Sequence, residues 1–420
     1  MTVNYPIPEK LQSDHLVLLV GTNPLPNLVT TRLLAKPHAR IILLYSNGLE
    51  GEPSTKDLAE NLETALKGWQ VQPEPIASSD NQDIETRVAE ILGGIDKDAR
   101  VGMNYTGGTK PMSLHTYRAL QSRQSQFTNP FVFSYLDPRQ LALRIDRAGT
   151  TKKSESIFYI LRDATLREKV MVTPNELAAL HGYERVAKKE GWREGGMTNL
   201  CNAIAKVHAS KEGFAEWRAW TEQKPFDAVP KKKGALQFSY AELENLGGAP
   251  LTTEKIARWV RPSDPDAKLS SCGKWFRGLW LEEHVVECLK ALAPRFQLSE
   301  PTRGALYRAA KEHSDTFELD ITFTIGYQLY AISCIATDDK PDAKEHWMEI
   351  FVRARQIGGD EARIGLVTCY DDPARVQKEI ERKWDAAGKL RVFGRGDLGN
   401  LKSEMETWLE QASLWKGERT

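Results

Sequence analysis

The chain has 420 residues, which is too long for one small core, so we expect two or three domains. Lys and Arg total 57, and Asp and Glu also total 57, which excludes a strong overall attraction to nucleic acid and leaves only a local basic patch for such a ligand. No apolar run approaches the ~18 residues of a membrane span, and the start lacks the features of a signal peptide, so we expect a cytoplasmic protein with no membrane contact.

Short apolar runs alternate with amphipathic segments over residues 1–150. Residues 15–20 (HLVLLV) form a continuous apolar run before Gly21, which is typical of a strand buried on both faces. Further strands are predicted at residues 40–45, 71–76, 99–105, 131–136 and 141–147, and helices at 28–34, 56–69 and 82–92. This βαβα order predicts a doubly wound α/β domain with a mainly parallel sheet.

Polar loops follow three of these strands, at the sheet edge where open α/β domains bind ligands. The sequence Thr106-Gly107-Gly108-Thr109-Lys110 leads into a helix, so its backbone N–H groups and the lysine could hold a phosphodiester. It is not a Walker A loop, because GxxxxGK[ST] cannot be read across it. A tight strand-to-helix turn without a ligand is the other interpretation. The loops after the other two strands offer Thr22, Asn23, Pro24, Tyr45 and Ser46.

The rest of the chain divides into a weakly patterned segment and a second α/β pattern. Residues 151–275 contain one clear helix start, at Thr173-Pro174, and are interpreted as a connector or accessory region. Beyond them, helices are predicted at 279–292, 344–356 and 371–387, and strands at 318–324, 328–336 and 363–368. The order of these elements predicts a second α/β domain at residues 276–420.

The loops resemble those of the CARF domains of type III CRISPR ancillary effectors, especially the Card1/Can2 group. Residues 23–27 (NPLPN) and 106–110 (TGGTK) carry this resemblance, and the two-domain order extends it over most of the chain. It implies a Rossmann-like CARF domain whose homodimer binds one cyclic oligoadenylate, most often the tetra-adenylate (cA4), across its two-fold axis. The ligand contacts implied are Asn23, Pro24, Thr106, Gly107, Gly108, Thr109 and Lys110.

The same group carries a restriction-endonuclease-like domain with a PD-(D/E)xK site. Residues 278–283 (GLWLEE) resemble its helix, which places Glu283 as a catalytic carboxylate, and residues 317–320 (FELD) place Asp320 on its first strand. In active members these carboxylates hold Mg²⁺ or Mn²⁺. The ExK motif is lost here, because Ser333 and Ile335 stand where the glutamate and lysine are expected.

Three functions are therefore open. The first is a ligand-gated effector whose impaired nuclease-like domain grips nucleic acid or a protein partner. The second is an active metal-dependent endonuclease with a rearranged site, for which acidic and basic residues near the lost motif are candidates: Glu312, Glu318, Asp338, Asp339, Lys340 and Lys344. The third is a ring nuclease that degrades its own cyclic ligand, using groups such as Thr106 and Lys110.

Overall fold

The structure is a computed structural model that describes residues 7–48, 53–147, 156–186, 198–222, 275–311, 316–384 and 386–413. Two β-sheets organise these residues. One sheet is built from strands before residue 160, and the other from strands after residue 182. This mixed α/β architecture confirms the predicted fold class.

The first sheet has seven strands in the order β3-β2-β1-β4-β5-β6-β7. The strands are β1 (Ser13–Val20), β2 (Ala35–Ser46), β3 (Gln70–Ile76), β4 (Val101–Asn104), β5 (Val132–Asp137), β6 (Ala142–Arg147) and β7 (Ser156–Tyr159). The first five run parallel, and β6 and β7 extend the sheet antiparallel at one edge. The alternating pattern of the sequence thus gives the predicted parallel sheet.

Strand β1 shows why the apolar run is continuous. Leu16 and Leu18 pack into one hydrophobic cluster, whereas Val17 and Leu19 pack into another on the opposite face. Helices cover both faces of the sheet, so these β1 side chains are buried whichever face they point to. These helices are α1 (Leu25–Leu34), α2 (Lys56–Ala65), α3 (Asn81–Gly93) and α4 (Lys110–Arg123).

The segment interpreted as a connector contributes to both sheets. Strand β7 pairs with β6 of the first sheet, and β8 (Tyr183–Val186) pairs with β9 of the second. Its helices are α5 (Ala164–Lys169), α6 (Pro174–Leu180), α7 (Thr198–His208) and α8 (Lys211–Glu222). The predicted start of α6 is confirmed, since Thr173 accepts a hydrogen bond from the Glu176 backbone and forms a capping box with it.

The second sheet is mixed, with the order β13-β12-β11-β10-β9-β8. Its remaining strands are β9 (Thr302–Ala309), β10 (Phe317–Ile325), β11 (Gln328–Ile335), β12 (Arg363–Thr368) and β13 (Leu390–Phe393). The helices around it are α9 (Trp280–Phe296), α10 (Lys340–Gly358), α11 (Pro373–Trp384) and α12 (Leu401–Ser413). The predicted hairpin is β10–β11, which turns at Gly326.

One hydrophobic cluster spans the two sheets. It contains Leu28 of α1, Leu329 of β11 and Trp347 of α10, all buried. A side-chain hydrogen bond also joins α1 to the segment between β7 and β8, from Arg32 Nη1 to the Met171 backbone carbonyl at 2.6 Å. The N-terminal and C-terminal parts therefore share a core and can influence each other mechanically.

Candidate functional site

The loop between β4 and α4 is built so that only glycine fits at its centre. A Cβ on Gly107 would lie 2.2 Å from the Leu19 carbonyl oxygen, so the loop backbone sits directly on the end of β1. Gly108 has a φ of +75°, a conformation that side-chain-bearing residues rarely adopt. Thr109 caps α4 by accepting a hydrogen bond from the Met112 backbone at 3.3 Å. The loop thus presents backbone to its outer side at a helix N-terminus, where anions are stabilised.

An open pocket of about 550 Å³ lies against this loop, which is a common size for ligand pockets. All five residues that the sequence assigns to the loop line it, together with residues of α4 and β6. The lining is Tyr105, Thr106, Gly107, Gly108, Thr109, Lys110, Ser113, Leu114, Tyr117 and Asp146.

The pocket lining also includes aromatic rings and one carboxylate. Tyr105 stacks on Tyr135 with ring centroids 5.8 Å apart, and it meets Tyr117 edge to face at 6.3 Å. The Tyr105 hydroxyl donates a hydrogen bond to the Asp146 carboxylate. Burial, and secondarily the charge of Asp146, raises the pKa of Tyr117 above its ordinary value. The pocket lining therefore combines an anion-favouring helix N-terminus with aromatic rings and a hydrogen-bond acceptor.

Several of these lining residues are absent from the sequence-based set. Ser113, Leu114 and Tyr117 follow Lys110 at spacings of three, four and seven, which is one face of a helix. That spacing is the signal that would have found them. Asp146 carries no local signal, because it reaches the pocket only through the pairing of β6 with β5, where it lies opposite Phe133.

The loop after β1 faces the C-terminal part of the chain. Asn23 Nδ2 donates a hydrogen bond of 3.1 Å to Glu361 Oε2, and Asn23 Oδ1 lies 3.3 Å from His181 Nε2. Pro24 is buried at the start of α1, and Thr22 is exposed. Among the described residues, the pocket lining includes none of these three.

The third predicted loop contacts residues 106–110, which we call the pocket loop, through Ser78. Ser46 is buried, and its hydroxyl lies 3.4 Å from that of Ser78. The Thr109 hydroxyl in turn donates to the Ser78 carbonyl at 3.4 Å. Tyr45 is half-buried and packs against the cluster shared by the two sheets, so its ring supports the core.

The two carboxylates that the sequence assigns to a nuclease-like site are both engaged by other groups. Glu283 is 2% exposed on α9, and Arg303 of β9 approaches its carboxylate at 2.5 Å. Asp320 accepts hydrogen bonds from the Ser333 hydroxyl at 3.1 Å and from the Cys334 backbone at 2.8 Å. Burial raises the pKa of Asp320, and these two hydrogen bonds oppose the rise. Ile335, at the strand end, is half-buried and offers no charge.

These residues do not fit a divalent metal. A guanidinium stands against Glu283, and the Ser333 hydroxyl lies beside Asp320 where the resemblance implies an anionic ligand, so the pair lacks the oxygen charge that Mg²⁺ prefers. Over the part of the chain that the structure describes, no group of three or more His, Cys, Asp or Glu side chains could hold a metal ion.

The described candidate residues for a rearranged metal site form ion pairs with other side chains, lie at a helix N-cap or are exposed on a strand. Lys340 and Lys344 both bind Glu379 of α11, and they hold the pKa of that carboxyl at about 2. Asp338 pairs with Arg218 at 3.4 Å, and Arg395 approaches it at 4.0 Å. Asp339 precedes α10 at its N-cap, and Glu318 is exposed on β10. Glu312 lies outside the described residues.

Comparisons with known proteins agree with this architecture. The Card1 CARF domain family matches residues 15–137, which include most of β1, all of β2 to β5 and the pocket loop. The structure of Can2 from Sulfobacillus thermosulfidooxidans, in complex with cyclic tetra-adenylate, has a TM-score of 0.66 and 17% identity, covering 96% of this chain and 98% of that chain. VC1899 from Vibrio cholerae has a TM-score of 0.64 and 15% identity, with coverage of 95% and 98%. No curated protein matches the chain.

The sequence match and the structural likeness cover different extents. The match is confined to the N-terminal sheet, whereas the likeness includes the C-terminal sheet and shows its fold. No helix among the described residues is long and apolar enough to cross a membrane. Residues 15–137 are thus similar in sequence to the Card1 CARF domain, and the chain as a whole has the fold of Can2.

Proposed function

We propose that this chain is a cyclic oligoadenylate-binding effector of type III CRISPR defence, with cA4 as its ligand. One observation carries the proposal: the glycine loop that forms the floor of the pocket lies inside the segment that matches the Card1 CARF domain. The Can2 structure, which has the same fold, contains cA4, and this supports the choice of ring size.

The groups that line the pocket suit the two parts of a nucleotide. The backbone at Gly107 and Gly108, the N-terminus of α4 and the exposed Lys110 favour a phosphodiester. The rings of Tyr105 and Tyr117 offer stacking surface for a base. Asp146 can only accept hydrogen bonds when it is ionised, so it would select a donor such as the 6-amino group of adenine.

A second copy of the chain completes the proposed site. Leu114 is 56% exposed on α4 and lies in the pocket lining, where a second copy of the chain would cover it. A cyclic ligand with two-fold symmetry suits an isologous dimer, in which the same surface faces itself. We therefore propose a homodimer with α4 of each copy beside the ligand.

The C-terminal domain in this proposal binds and does not cut. Arg303 neutralises Glu283, and Ser333 replaces a metal-binding glutamate beside Asp320. Ligand binding would then control the affinity of this domain for nucleic acid or for a protein partner.

The test combines ligand binding with a cleavage assay on the same full-length preparation. The protein is titrated with cyclic oligoadenylates of several ring sizes and with linear tetra-adenylate as the control, and DNA and RNA are incubated with and without Mg²⁺ or Mn²⁺. We expect saturable binding of cA4, intact ligand afterwards and no cleavage. Failure to bind any ring refutes the sensor function. Metal-dependent cleavage would show an active nuclease, and a linearised ring would show a ring nuclease.

A further inference from the structure

Residues 19–23, the end of β1 and the start of the loop that follows it, lie between the pocket loop and the C-terminal sheet. We call them the segment. On the pocket side, its contacts are backbone against backbone: a Cβ on Gly107 would lie 2.2 Å from the Leu19 carbonyl oxygen, and a Cβ on Gly21 would lie 2.7 Å from the Gly108 nitrogen. Asn27 Nδ2 also donates to the Leu19 carbonyl at 3.0 Å, which fixes the strand end to α1. Because these backbones approach each other closely, a shift of the pocket loop toward β1 would press on the segment.

The other side of the segment is fastened to the C-terminal part by Asn23. Its amide donates to Glu361 Oε2 at 3.1 Å, and its Oδ1 lies 3.3 Å from His181 Nε2 and accepts from the Leu25 backbone at 3.1 Å. A Cβ on Gly359 would lie 2.8 Å from the Asn23 side chain, so the asparagine fills the space that this glycine leaves. Asn23 is therefore held on several sides and is a rigid link.

Glu361 continues the connection into the second sheet. It is 1% exposed, and its backbone carbonyl accepts hydrogen bonds from Gln328 Nε2 at 2.9 Å and from Arg363 Nη1 at 3.0 Å. Gln328 begins β11, the strand that carries Ser333 beside Asp320. A displacement of Glu361 thus acts directly on the strand at the nuclease-like site.

We propose that Asn23 is the residue that couples the pocket to the C-terminal domain, and that it acts through Glu361 and not by contacting the ligand. The proposal rests on the proposed function, because a bound ring is what would displace the pocket loop. Movement of Gly107 and Gly108 shifts the end of β1, the shift reaches Asn23 four residues beyond Leu19, and Glu361 transmits it to β11. Packed elements of this kind respond by changing arrangement together.

The first arm of the test uses the ligand. Full-length wild type, Asn23→Ala and Glu361→Met, which removes the oxygen that accepts from Asn23, are compared for cA4 affinity and for the ligand-induced change in hydrogen exchange across β11. Asn61→Ala is the matched control, because it removes a different asparagine contact between the two parts, Nδ2 to the Leu180 carbonyl. We expect cA4 to change β11 protection by about fivefold or more in wild type and in the control, the usual lower range of coupling. In both coupling variants, we expect the cA4-induced change in β11 protection to be less than half of the wild-type change. The affinity for cA4 should be retained.

The second arm needs no ligand and separates this inference from the proposed function. Gly107→Ala forces a Cβ toward the Leu19 carbonyl and should alter hydrogen exchange in β11. In a double-mutant cycle, this alteration should disappear when Asn23→Ala is added. Gly21→Ala is the milder substitution if Gly107→Ala does not fold. If wild type fails to bind cA4, the proposed function fails, and this arm still decides the coupling.

Two results would overturn the inference. A fall in cA4 affinity of about tenfold or more in Asn23→Ala, which corresponds to loss of a direct contact, would make Asn23 a ligand residue. Additive effects of Gly107→Ala and Asn23→Ala on β11 would show that the two positions act independently.

Discussion

Removing the Arg303 guanidinium should destabilise the C-terminal domain strongly. The Arg303 and Glu283 side chains are 13% and 3% exposed, and their charged atoms are 2.5 Å apart. Deleting one partner of such a buried pair leaves the other charge poorly solvated, which typically costs about 3 kcal/mol or more. Arg303→Met keeps much of the side-chain volume, so we expect a loss of about 3 kcal/mol in the free energy of opening of α9 and β9.

Hydrogen exchange measures this loss segment by segment, which suits a long chain whose parts need not unfold together. Arg295→Met is the control, because Arg295 is 55% exposed and pairs with Glu406 and Glu410 at the surface, where we expect about 1 kcal/mol at most. Adding Glu283→Gln to Arg303→Met should recover most of the loss. Equal effects of the two arginine substitutions would refute the argument that Arg303 neutralises a buried carboxylate.

Three further predictions concern single side chains. Asp146→Asn should reduce the preference for a cyclic tetra-adenylate over its inosine analogue, which lacks the amino group, and an unchanged ratio in binding assays would exclude a role in reading the base. Lys110→Ala should weaken cA4 binding by about tenfold and lower its salt dependence, whereas the exposed Lys67→Ala should change neither. The raised pKa of Asp320 means that the folded state binds its proton more tightly than the unfolded state, so wild type should gain stability relative to Asp320→Asn as the pH falls from neutral toward about 4. Urea unfolding of both proteins across this range checks the sign, and a relative loss on acidification would contradict it.

The elements that were predictable are those whose signal is local. The apolar run of β1 is visible because helices cover both sheet faces, and the glycine loop is visible because a tight strand-to-helix turn with a positive φ needs glycine. Strands β7 and β8 are only four residues long, too short to stand out from the surrounding polar segment.

The contacts that were not predictable join distant positions. Asp146 reaches the pocket through strand pairing, and Arg303 reaches Glu283 through the packing of α9 on the second sheet. The place of Asn23 after β1 predicts a ligand contact, but no signal in the sequence indicates its hydrogen bond to Glu361, 338 positions further along. Spacing in the sequence cannot show which of two neighbours a loop side chain will face.

The measurement that tests the central claim most directly is calorimetric titration of the full-length protein with cA4. The account predicts saturable binding at one ring for each pair of chains, because the proposed pocket is completed by a second copy across a two-fold axis. It also predicts that linear tetra-adenylate binds much more weakly. Absence of binding, or equal binding of the linear and cyclic ligands, would contradict the account.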